Sequence, residues 1–266
     1  MTRMAATRDV ALQVGMAAWE SARAQAPTLI GREAPRDWEH GIVSKAASIF
    51  ANELRPITDE SIDDCRRRAI SKVLGICYLG DYALESGLRF RLRPAAGAVA
   101  ESAISSGVET GTTEILIGRM TEFYKREATV GGGGKTRSRA EPSRMRYVLK
   151  SADICLLQRM ALGGASTNSV CDALESASAA LDVVDDAIDL SEDAWCGTGN
   201  PLVFARHDPS QIRTFFEWYV EPHMERMKEA LLRGCLPHRA MEYVRAVTER
   251  VADCRLSLAG SIQQLS

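Results

Sequence analysis

The stretch Asp182-Val-Val-Asp-Asp-Ala-Ile-Asp-Leu-Ser-Glu-Asp193 holds six acids in twelve residues and no Lys or Arg. At about 100° per helical residue, Asp185, Asp189 and Asp193 rise in one row, and Asp182, Asp186 and Glu192 fall beside it. All six carboxylates then fit within an arc of about 120°. Val183, Val184, Ala187, Ile188 and Leu190 take the rest of the circumference. The pattern is a helix with an acidic wall on one side and a packing surface on the other.

The wall is local, because the 266-residue chain has a net charge of only −2. That balance gives no general pull toward nucleic acid or an anionic membrane. Hydrophobic content of 45% and charged content of 26% are those of a soluble globular protein. The seven cysteines are scattered, odd in number and without a CxxC pair, which reads as reduced thiols and a cytoplasmic location. No uncharged apolar run of about 18 residues occurs, so no membrane span is expected. The charged N-terminus does not read as a signal peptide.

Outward from the wall, helical periodicity dominates the chain. Helices are expected over Met4–Gln25, Trp38–Leu54, a third reaching Ser86 from a cap within Thr58–Ser61, Pro94–Ser106 and Gly111–Glu127. Beyond the Gly-rich loop Thr129–Arg144 they continue as Arg144–Leu162, Asn168–Cys196, a segment from Asp208 to Arg233 kinked at Pro222, and Pro237–Leu258. Strand alternation and internal repeats are absent. The reading is all-α, with residues 1–266 forming a single helical domain.

An acidic helix face is ordinarily a solvated surface, but such faces mix signs. Like charges at i,i+4 cost a few tenths of a kcal/mol per pair, and 182/186, 185/189 and 189/193 stack unrelieved. Divalent cations relieve such a wall, and Mg²⁺ accepts hard oxygen ligands together with water and substrate phosphates. A di-iron bundle would need Glu-x-x-His pairs, and none of His40, His207, His223 or His238 sits in one. The Gly131–Gly134 run before Lys135-Thr136 lacks the first glycine and the preceding strand of a phosphate loop. It reads as a basic loop able to close over a diphosphate.

With those residues in view, the chain resembles the class I isoprenoid synthase superfamily. Asp185-Asp186-Ala-Ile-Asp189 looks like the second DDxxD of trans-prenyl diphosphate synthases. Asp189-Leu-Ser-Glu192-Asp193 is similar to the DxxED of squalene and phytoene synthases. Asp185, Asp189 and Asp193 match in spacing the metal-binding triad of terpene cyclases. Asp182 departs from the pattern, since prenyl diphosphate synthases usually carry Gln there. Asp81 and Glu85, one turn apart in Tyr78-Leu-Gly-Asp81-Tyr-Ala-Leu-Glu85, look like a reduced first aspartate motif on a helix facing the wall. Lys150-Ser151 resembles the Lys-Thr dipeptide of prenyl diphosphate synthases, and Arg144 and Arg146 stand where cyclases keep a diphosphate-sensing Arg. Arg89, Arg91 and Arg93 follow the first acid pair, and Arg245 or Arg255 would contribute from the last helix.

The resemblance implies a helical bundle with a central active-site cavity. It also implies Mg²⁺, in a cluster of up to three completed by substrate diphosphate. Asp81, Glu85, Asp185, Asp186, Asp189 and Asp193 would be metal ligands, with Asp81, Asp185 and Asp189 indispensable to turnover. Arg146, Lys150 and Arg89 would bind diphosphate. The substrate would be a linear prenyl diphosphate, and a homodimer is common in the superfamily. A reduced first motif and the lack of a second-substrate site favour a cyclase over a chain-elongating or squalene/phytoene-type prenyltransferase. The contrasting expectation is a non-catalytic helical partner subunit.

Overall fold

The computed structural model describes residues 2–58, 62–130, 149–163, 168–188, 202, 214–234 and 236–265. Among them every regular element is helical and no strand occurs, as the periodicity predicts. The helices gather into two compact units, one of residues 1–134 and 152–166, the other of 135–151 and 167–266.

The first unit is built on α1 (Thr2–Leu29), which packs on α2 (Trp38–Ile49) and α3 (Asp64–Glu85). Ala11, Ala18, Ala22 and Ala26 give α1 a smooth buried face, and small side chains let the helix axes approach closely. The approach is tightest at Gly75 of α3, where an added Cβ would stand 2.3 Å from the Ala18 carbonyl oxygen. Gly75→Ala gains about 1 kcal/mol in helix propensity. Forcing two backbones apart costs more, and the net expectation is a loss of about 2 kcal/mol in equilibrium urea unfolding. A loss under about 0.5 kcal/mol would contradict this packing.

Helix α4 (Leu92–Ser105) packs on α3 and α5 (Thr110–Val130), and α6 (Ala152–Leu162) on α3 and α5. Ile70, Val73, Leu74, Cys77 and Leu79 of α3 are buried in this core with Leu156, Leu157 and Met160 of α6. In the second unit α7 (Asn168–Ile188) packs on α8 (Glu221–Arg233) and α9 (His238–Leu265). Its positions from Ser176 to Leu181 are all buried, which marks a helix enclosed on every side.

The boundaries differ from expectation at prolines, at one cap and at the last helix, which runs to Leu265 instead of Leu258. Helix α1 runs through Pro27 to Leu29 instead of ending at Gln25, because a proline so near the C-terminus forfeits a single intrahelical bond. The second helix passes Leu54: a π-helical turn at Phe50–Leu54 leads into a 3₁₀ turn at Arg55–Ile57. A second π-helical turn, Phe216–Val220, precedes Pro222, where a kink is expected. In both, the residue before the proline donates its N–H five residues back, Arg55 to Phe50 and Glu221 to Phe216. Proline has no N–H for the usual bond, so the ladder shifts by one just ahead of it. The α3 cap is Asp63, not a residue of Thr58–Ser61; its carboxylate accepts from the Arg66 N–H at 2.9 Å.

Candidate functional site

The C-terminal end of α7 carries Asp182, Asp185 and Asp186, and two cations from outside α7 meet them. Lys150 Nζ donates to Asp186 Oδ1 at 3.1 Å and stands 3.5 Å from Asp182 Oδ1. Arg250, on α9, donates to Asp185 Oδ1 at 3.2 Å. Helical spacing explains the division: 182 and 186 share one row, and 185 opens the next. Asp186 is buried, whereas Asp185 and Arg250 keep more than half of their side-chain surface. The described part of the wall therefore has a solvent-facing row and an inward row.

Asp182, on the inward row, is perturbed by its burial. Asp182 is a fifth exposed as a side chain, yet its Oδ2 is enclosed and receives no hydrogen bond from the described residues. Burial lifts its carboxyl from 3.8 to about 6; the Lys150 charge opposes that rise, and Asp186 and Asp185 add to it. Because the folded value exceeds the unfolded one, this group's stabilising contribution is full below about pH 4. It is lost as pH rises through about 6. Asp182→Asn is expected to raise stability by about 1–2 kcal/mol at pH 8 and by nothing measurable at pH 4, read from paired urea melts. Equal effects at the two pH values would contradict the burial of an ionising group at 182.

In the first unit Asp81 is half-buried on α3, and Tyr124 of α5 holds it. The phenol lies 3.0 Å from Asp81 Oδ1 and 2.8 Å from the Cys77 carbonyl oxygen. Burial is the main force pushing the Tyr124 phenol, the Tyr78 phenol and the Cys77 thiol upward, and Asp81 and Asp153 reinforce it. Glu85 and Arg89 are exposed, the former on the last turn of α3 and the latter in the connection to α4. Beside Asp81 an apolar pocket opens among α3, α4 and α5. Ile76, Cys77, Phe90, Val99, Met120 and Tyr124 are among its lining residues, and its water-accessible space is small, about 20 Å³.

The structure thus brings Lys150, Asp185 and Asp186 to one helix end, while Asp81, Glu85 and Arg89 belong to the other unit. Asp189, Asp193 and Arg146, with the Gly131–Gly134 run, lie outside the described residues. Sequence reading left out Asp182, which shares Lys150 with Asp186 and whose i,i+4 spacing from Asp186 was the available signal. It named Arg245 or Arg255 on the last helix, where Arg250 makes the contact. Tyr124 and Asp153 had no signal.

Among the described residues no three His, Cys, Asp or Glu side chains converge as a metal-binding group. The donor set nonetheless suits Mg²⁺. Carboxylate oxygens on adjacent turns are hard ligands, and Mg²⁺ takes one or two of them before filling its shell with water and phosphate. The enclosed Oδ2 of Asp182 has no hydrogen-bond donor among the described residues.

A scan against known protein families finds no match for this chain, and neither the curated proteins nor the solved structures yield one.

Proposed function

We propose that the chain is a Mg²⁺-dependent class I terpene synthase that ionises a linear prenyl diphosphate to an allylic carbocation and releases diphosphate. The observation that carries the reading is the gathering of Lys150 and Arg250 on three carboxylates at the end of α7. Mg²⁺ would take the carboxylates of Asp185 and Asp186 in place of these cations, freeing Lys150 and Arg250 for the anion that accompanies the metal. Bound Mg²⁺ would neutralise the departing diphosphate. Asp185, Asp186, Asp189 and Asp193 would be metal ligands, as would Asp81 and Glu85. Lys150, Arg146 and Arg89 would pair with diphosphate oxygens. An apolar surround would exclude water from the hydrocarbon chain.

The same ion pairs favour a second reading, a non-catalytic bundle in which Lys150 and Arg250 serve only to neutralise the acids. Product analysis separates the two. The full chain is incubated with Mg²⁺ and ten-, fifteen- and twenty-carbon prenyl diphosphates, with and without isopentenyl diphosphate. Hydrocarbon or alcohol formed without isopentenyl diphosphate is the expected result. Chain growth only with it marks a prenyltransferase. No product in any combination supports the non-catalytic bundle.

A further inference from the structure

Lys150 is held by two carboxylates, and only one of them has a part in metal binding under the synthase reading. Its Nζ stands 3.1 Å from Asp186 Oδ1 and 3.5 Å from Asp182 Oδ1. Lys150 keeps 30% of its side-chain surface, Asp182 20% and Asp186 12%, so the ammonium is the member of the trio that a dissolved anion meets first. Asp182 lies one turn ahead of Asp186, between the buried Leu181 and Val183, and departs from the ligand pattern of the synthases that the sequence resembles.

Mg²⁺ that takes Asp186 removes one acid from the lysine and leaves the other. Lys150 then has Asp182 on one side and the arriving diphosphate on the other, two anions for one ammonium. Turning Lys150 fully to the diphosphate leaves the enclosed Asp182 carboxylate without the cation beside it, and that desolvated charge is costly. An ammonium has three N–H donors and can be shared. Sharing does not remove the competition, because anions gathered on one ammonium repel each other.

We propose that Asp182 is a resident competitor for Lys150, a positioning residue that holds down the affinity for diphosphate and favours its release as product. The role rests on the synthase reading and deepens it. Cations that neutralise a leaving group also bind the product it becomes, and product release limits the rate of many enzymes. An anion built into the chain that takes Lys150 back works against that retention.

The test is a double-mutant cycle on the full chain, with inorganic diphosphate as the probe, titrated calorimetrically at pH 8 in saturating Mg²⁺. The native chain, Asp182→Asn, Lys150→Met and the double variant are compared, each checked for native helicity. Asp182→Asn is expected to tighten diphosphate binding about fivefold or more with Lys150 present, and by less than about twofold once Lys150 is Met. Unchanged or weaker binding in Asp182→Asn would overturn the proposal. Equal tightening in both backgrounds would also overturn it, since the plain field of a nearby charge does not need Lys150. A second measurement needs no change at Lys150: Mg²⁺ and diphosphate should protect its amine from an amine-directed reagent more in Asp182→Asn than in the native chain, and equal protection would overturn the proposal. Tightening that depends on Lys150, in a chain that turns over no prenyl diphosphate, would defeat the catalytic reading alone. Turnover with diphosphate affinity unmoved by Asp182→Asn would defeat the competitor role alone.

Discussion

Asp81→Ala is expected to lower Mg²⁺-dependent turnover of a prenyl diphosphate by about a hundred- to a thousandfold while the chain stays folded. Asp81 is a half-buried acid in an otherwise apolar stretch of α3, held by Tyr124 and next to an apolar pocket. The buried α3 core of Ile70, Val73, Leu74, Ile76 and Leu79 does not depend on its carboxylate. A loss of rate without loss of structure is therefore what the synthase reading expects of a metal ligand at this position. Asp81→Asn, which keeps the size and an oxygen acceptor for Tyr124, should lose nearly as much, because an amide is a poor substitute for a carboxylate on Mg²⁺. Asp189→Ala should behave alike from the second acid set. A wild-type rate in either alanine variant removes that residue from the site.

Lys150→Met is expected to destabilise the fold by about 2–4 kcal/mol at pH 7 and by much less at pH 4. Lys150 is the cation shared by Asp182 and Asp186, and removing it leaves two largely enclosed carboxylates facing each other. A buried pair broken by loss of one partner costs more than the pair contributed, because the remaining charge has neither water nor counter-ion. The effect fades in acid, where Asp182, already raised to about 6, takes up a proton. Combining Lys150→Met with Asp182→Asn should recover part of the loss, since the two changes act on one interaction. Equal destabilisation at both pH values would mean that Lys150 contributes through its methylene stem instead of its charge.

The all-helical architecture was legible because amphipathic periodicity recurs along the chain, and the ends of most helices fell within a few residues of expectation. Proline was the less legible signal. Pro27 is absorbed near the end of α1, and Pro56 and Pro222 are each preceded by a π-helical turn where a stop or kink was expected. Local rules give the missing N–H but not how the neighbouring ladder redistributes.

The acidic wall could be read as one helix face, and its described part is one. What periodicity did not reveal is the split between Asp185 in solvent and Asp182 and Asp186 around Lys150. That split depends on where α9 and the residues ahead of α6 cross α7, which is a tertiary matter. Asp182 fits no family pattern, yet burial raises its carboxyl to about 6. Tyr124 was invisible for a similar reason: its tie to Asp81 spans two helices and belongs to no motif.

The most direct test of the catalytic reading is release of inorganic diphosphate from geranyl, farnesyl and geranylgeranyl diphosphate by the full chain, followed with Mg²⁺ and after its removal by chelator. The expected result is Mg²⁺-dependent release from at least one of the three without isopentenyl diphosphate, lost in Asp81→Ala and in Asp189→Ala. No release from any of them at saturating Mg²⁺, or release indifferent to chelation and to both substitutions, would contradict it.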